Sequence, residues 1–135
     1  MLNPFPSLLT YGLLAPFLLR ITIGFIIANL GYLKLTKEKD SLSLLFGIAG
    51  LRKYKEFGTV VIAVAEIVGG LMLIAGFYTQ IAALMFVLLT GVELYVEYKD
   101  AGILKRNLVF YFLLFVIALS LMVTGAGFLA FDLPL

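Results

Sequence analysis

One carboxylate constrains this chain more than any other residue. Residues 58–80, GTVVIAVAEIVGGLMLIAGFYTQ, form an apolar run broken only by Glu66. The run has membrane length, because about 20 residues at ~1.5 Å each cross a ~30 Å hydrocarbon layer. A helix is the one structure a single run can adopt there with its backbone fully hydrogen-bonded. A charge at that depth costs at least ~2.5 kcal/mol on insertion scales, so Glu66 is expected to face a partner or a wet cavity.

The rest of the sequence supports a bilayer as solvent. Of its 135 residues 63% are hydrophobic and 13% charged, with mean hydropathy +1.13, against an apolar share of about 45–50% in soluble domains. The expected fold is all-α: a single integral membrane domain, a bundle of four transmembrane helices with a short interfacial segment. Cysteine and histidine are both absent. That removes disulfides, thiol chemistry and the usual ligands of iron–sulfur clusters, haem and zinc. No metal site and no covalently bound cofactor are expected, and any redox group must come from another molecule.

In chain order, MLNPFPS lacks the basic start of a secretory signal, and no cleavage is expected. Helix one is predicted over 8–35, capped by Ser7 and kinked at Pro16. Arg20 sits on it, followed by a stripe of Gly24, Ala28 and Gly31 that lets a neighbouring helix approach closely. Residues 36–57 are polar around an apolar centre, and 41–51 reads as an interfacial segment with Lys37, Lys39, Arg52, Lys53 and Lys55 as headgroup anchors. Helix two covers 58–78, and helix three follows at once over 79–98 with Thr79 as its cap. Ala83, Phe86, Thr90, Glu93 and Glu97 share one face of helix three. Helix four is predicted over 107–125, aligning Asn107, Tyr111, Ala118 and Gly125.

All ten lysines and arginines except Arg20 lie in or beside segments 36–57 and 99–106. The positive-inside rule therefore predicts that both loops are cytoplasmic and both termini outside, in a plasma or inner membrane. Counted from the outer helix ends, Arg20 and Glu66 each lie about 18 Å deep and Glu93 about 20 Å; a helix starting nearer Leu14 raises Arg20 to about 9 Å. An intramembrane Arg20–Glu66 pair is the expected centre, with Glu93 beside it. On one reading the pair only fixes helix register. On the other, one cation facing two carboxylates leaves a negative charge that an exchangeable proton balances. Asn29, Lys34, Tyr95, Asn107, Tyr111 and Asp132 are secondary candidates; for Asn29, Tyr95, Asn107 and Tyr111 interhelical hydrogen bonding and interfacial anchoring are the readings set against ligand contact, and for Lys34 an interface anchor.

These residues also fall into ordered motifs: Arg20-Ile-Thr-Ile-Gly24, then Gly31-Tyr-Leu-Lys34, then Glu66-Ile-Val-Gly69-Gly70. Gly76-Phe-Tyr-Thr79-Gln80-Ile-Ala82-Ala83 and Gly125-Ala-Gly127 with Asp132 complete the series. The chain resembles the DoxX family of small four-helix membrane proteins over nearly its whole length. The resemblance implies an accessory or quinone-interacting subunit of a membrane oxidoreductase, with quinone as the redox molecule; the basic cytoplasmic face adds the expectation of a soluble oxidoreductase partner docking there. Gln80 stands where the family pattern has arginine, Phe128 where it has a basic residue and Ala130 where serine is common. Two other readings suit the same residues. One is a small proton-coupled transporter or binder of lipids and hydrophobic ligands, acting as a homodimer; the other is a scaffold that docks soluble partners. Membrane lipids are expected partners in every case, and nucleic acid in none.

Overall fold

The computed structural model describes residues 4–132, and within them every regular element is helical. A 3₁₀ turn at Pro6–Tyr11 leads into α1, Leu14–Thr36. Then come α2 (Lys39–Ile48), a short 3₁₀ turn at Arg52–Tyr54, α3 (Lys55–Ala75), α4 (Thr79–Lys99) and α5 (Leu108–Thr124). Three helical stretches are long and apolar enough to cross a membrane, Leu14–Thr36, Arg52–Ala75 and Thr79–Lys99. The fourth expected crossing, α5, is apolar throughout but has 17 residues, about 26 Å at ~1.5 Å per residue and so at the short limit for a span.

The first helix differs from its expected bounds. Ser7 lies inside the 3₁₀ turn and caps nothing, and α1 starts at Leu14. Pro16 therefore falls in the first turn, where its missing N–H leaves no helical bond unmade, and it causes no mid-helix kink. The interfacial segment is a ten-residue helix, Lys39–Ile48. Leu42 and Leu45 bury one side of it while Leu44 and Ile48 stay exposed on the other.

Two antiparallel helix pairs make the bundle. In the first, α1 lies against α3 along the small-residue stripe: a Cβ added at Gly24 would stand 2.7 Å from the Gly70 carbonyl oxygen, and one at Gly31 2.6 Å from that of Ala63. Backbones this close gain van der Waals contact that lipid cannot replace. The second pair is α4 with α5. Between the pairs lies a dry core of Ile23, Ile27, Leu73, Ala83, Phe86, Ala118 and Leu121, each at most 2% exposed. Outward-facing Phe25, Leu71, Leu88, Val109 and Val123 are more than half exposed, a surface suited to acyl chains rather than water.

The two ends of the bundle are built differently. The α3–α4 turn and the C-terminal segment form what is here termed the tail end, and α2 with the α4–α5 connection forms the loop end. At the tail end Gly76 (φ 71°) closes α3 in the left-handed conformation, and Tyr78 (φ 49°), not Thr79, is the N-cap of α4. The α4 terminus is capped from afar instead. The Asp132 carboxylate accepts the Thr79 N–H at 2.6 Å, and the Asp132 N–H donates to the Gly76 carbonyl at 2.8 Å. Gly127 (φ 71°) lets the chain cross the start of α1, where a Cβ would come within 2.7 Å of Pro16.

Candidate functional site: a lysine between two glutamates

Lys34 lies on the last turn of α1, yet it is 2% exposed. In a helix each Cα–Cβ bond tilts toward the N-terminus, so a long side chain near the end of α1 runs back into the bundle. Glu66 on the antiparallel α3 tilts the opposite way, toward the loop end, and the two meet: Lys34 Nζ donates to Glu66 Oε1 at 2.5 Å. On α4, Glu93 tilts in the same sense as Lys34, and its Oε1 accepts a second hydrogen bond from Lys34 Nζ. Glu66 and Glu93 are 3% and 4% exposed. One ammonium thus joins three helices through two carboxylates. Glu66 Oε2 is buried with no hydrogen-bond partner among the described residues.

Polar groups continue from the triad toward the loop end. Glu97, one turn beyond Glu93 and also buried, accepts the backbone N–H groups of Gly102 and Leu104, which fixes the α4–α5 connection. Arg106 Nη1 donates to both oxygens of Glu38 at 3.0 Å, tying that connection to the end of α1. Tyr111 is 1% exposed among Leu42, Leu45 and Leu104.

Arg20 makes a different site. Its Nη1 donates to the Ala126 carbonyl at 2.8 Å and its Nη2 to that of Leu129 at 2.9 Å, anchoring the C-terminal segment across the tail end. Its Nε is buried without a hydrogen-bond partner among the described residues. The expected Arg20–Glu66 pair is not formed. Arg20 packs beside Gly76, ten residues along α3 from Glu66 and so about 15 Å away in level. Both side chains lean toward their own helix N-termini, and because α1 and α3 are antiparallel they diverge. The later start of α1 adds to the gap.

The remaining candidates separate cleanly. Asn107 is the N-cap of α5, its Oδ1 accepting from Phe110 N–H at 3.2 Å. Asn29 and Tyr95 face outward, away from the triad. Asp132 caps α4 at the opposite end from the triad. Tyr111 lies on the loop side of the core and Glu93 joins the centre. Extending the stripe would have singled out Lys34, since Gly24, Gly31 and Lys34 follow one another at helical spacing on one face. No three histidine, cysteine, aspartate or glutamate side chains among the described residues are grouped to hold a metal ion.

A family model described as DoxX matches residues 15–97 of this sequence. The chain belongs to the DoxX family. The matched DoxX segment holds Arg20, Lys34, Glu66, Glu93 and Glu97, so the whole triad lies within it, while Tyr111 and Asp132 lie beyond it. Together with three membrane-length helices, this makes the DoxX chain an integral membrane protein. Neither the curated proteins nor the solved structures give a match to this DoxX chain. Gln80 donates weakly, at 3.3 Å, to the Met122 carbonyl, and Phe128 is half exposed, so neither supplies a charge at the tail end.

Proposed function

We propose that this DoxX protein is a proton-handling accessory subunit of a quinone-linked membrane oxidoreductase, with Lys34, Glu66 and Glu93 as its protonatable centre. The observation that carries this reading is the charge balance of the triad. One ammonium is held between two carboxylates inside the bundle, and a single proton neutralises the negative charge left over. Glu66 Oε2, buried and without a hydrogen-bond partner among the described residues, is an oxygen suited to hold it.

The enclosed triad fits a proton and does not fit a quinone ring, because its side chains are 2–6% exposed. Quinone enters this reading as the substrate of a partner enzyme. Its reduction to quinol takes two electrons and two protons; the partner supplies the electrons, since this chain carries no cysteine or histidine to hold a redox centre. The basic loop end, with Lys37, Lys39, Lys53, Lys55 and Lys105 exposed, suits both a cytoplasmic orientation and an acidic partner surface.

Infrared spectroscopy of the protein in lipid nanodiscs tests the centre directly. A carboxylic-acid carbonyl band that shifts on deuterium exchange and is lost in Glu66→Gln or Glu93→Gln is the expected result. Absence of such a band at every pH where the protein stays folded would overturn the proton assignment. The quinone link is tested separately: a quinone reductase that co-purifies with the native protein is expected. Purification without such an enzyme, together with pH-driven solute uptake into proteoliposomes, would move the same centre into a transporter.

A further inference from the structure

At the loop end a cleft of about 430 Å³ opens between α2 and the start of α3, lined by Lys39, Asp40, Ser43, Lys55, Glu56 and Thr59, together with the exposed Val60. Opposite charges elsewhere in the molecule meet directly, Arg106 with Glu38 and Lys34 with two glutamates. Here two ammonium groups and two carboxylates face one space. None of the four forms an ion pair within 4 Å or a side-chain hydrogen bond among the described residues. The cleft has no net charge, yet it offers concentrated donors and concentrated acceptors together.

The surroundings narrow the occupant. Beyond Val60, an exposed apolar strip of Val64, Val68 and Leu71 climbs α3 at helical spacing. A ligand seated in the cleft therefore has a hydrocarbon track leading from it into the membrane. α2 lies beside the cleft with Leu44 and Ile48 exposed on its apolar side, the pattern of a helix at headgroup level. The geometry points to a binding site for a zwitterionic phospholipid with a primary ammonium headgroup, its phosphate between Lys39 and Lys55, its ammonium against Asp40 and Glu56, and an acyl chain along Val60, Val64 and Val68.

The chemistry discriminates among lipids. A primary ammonium donates three hydrogen bonds to carboxylates. The trimethylammonium of phosphatidylcholine has no hydrogens to donate. Phosphatidylglycerol has the phosphate but no cation, so Asp40 and Glu56 repel it. The assignment does not depend on the proton-handling centre, which lies deeper and shares no residue with the cleft.

Native mass spectrometry of the detergent-solubilised protein, with phosphatidylethanolamine, phosphatidylcholine and phosphatidylglycerol of identical acyl chains supplied in equal amounts, tests the site. Phosphatidylethanolamine is expected to be retained on the order of fivefold more than either of the others. Lys39→Ala with Lys55→Ala should remove most of that retention. Asp40→Asn with Glu56→Gln should abolish the preference over phosphatidylglycerol while leaving total lipid retention high. All four side chains are exposed, so equal melting temperatures should confirm folding. Equal retention of the three lipids, or a preference untouched by both double variants, overturns the assignment. Binding of soluble glycerophosphoethanolamine as tight as that of the intact lipid would also overturn it, because the acyl track would then contribute nothing.

Discussion

The Lys34 ammonium on α1 and the Glu66 carboxylate on α3 stand 2.5 Å apart inside the bundle, although their positions along the two helices differ. The distance is closed by side-chain direction. Each leans toward the N-terminus of its own helix, and in an antiparallel pair those directions converge at the loop end and diverge at the tail end. The same rule brings Lys34 to Glu66 and takes Arg20 away from it. Glu93 turns the pair into a three-helix junction, so one lysine links α1 to both α3 and α4.

Removing that lysine should leave two buried carboxylates facing each other. Lys34→Met is expected to cost about 3–5 kcal/mol, the usual loss when one member of a buried ion pair is deleted. The triple variant Lys34→Met, Glu66→Gln, Glu93→Gln should lose less than the single one. Unfolding followed by helical signal in detergent measures both, and a single variant as stable as the parent would refute the junction.

Arg20 should act on the C-terminal segment and not on Glu66. Arg20→Ala orphans the buried carbonyl of Ala126 and frees that of Leu129; each charge-assisted bond is worth about 1.5–3 kcal/mol. Limited proteolysis or hydrogen exchange should show residues 126–132 released. A double-mutant cycle between Arg20 and Glu66 should be additive within about 0.5 kcal/mol, whereas Lys34 and Glu66 should couple well beyond that.

Two glycine substitutions of identical chemistry should have opposite signs. Gly31→Ala puts a methyl 2.6 Å from the Ala63 carbonyl oxygen and 3.0 Å from the Glu66 Cβ, which forces α1 from α3 and should destabilise by about 1–3 kcal/mol. Gly47 in α2 has no atom within 4 Å of an added Cβ, and Gly47→Ala should stabilise by about 0.5–1 kcal/mol through helix propensity. Thermal melting of the pair distinguishes a packing seam from mere helix content.

Asp132→Asn should weaken the cap on α4. It keeps an oxygen for the Thr79 N–H but removes the negative charge from the helix terminus, a loss of about 0.3–1 kcal/mol. Asp132→Ala removes the acceptor too and should cost about 0.5–2 kcal/mol. Faster amide exchange confined to the first turn of α4 is the expected signature; exchange spread evenly along α4 would argue against a cap.

Helix number and type follow from hydropathy and turn residues, so α3 and α4 were legible to within a few residues, with Gly76 marking the break between them. The acidic stripe from Ala83 to Glu97 was legible too, because every member recurs at helical spacing and all of them are buried. Lys34 was legible only as a motif member. Two residues from a helix end and beside a basic loop, it looks like an interfacial anchor in one dimension, and only the helix's own tilt shows that its amine points inward. The C-terminal strap left little trace, since Asp132 and Thr79 are 53 residues apart and nothing local in either records the other.

The sequence by itself determined that this chain lives in a membrane, to within a few residues where α3 and α4 run, and which face of α4 turns inward, because these depend on solvent transfer and on the 3.6-residue period. Which cation neutralises Glu66 was decided by the tertiary structure. Partner choice among buried charges turns on differences of a helical turn in level and on the direction each side chain leaves its backbone, and both are set only when antiparallel helices pack in one register.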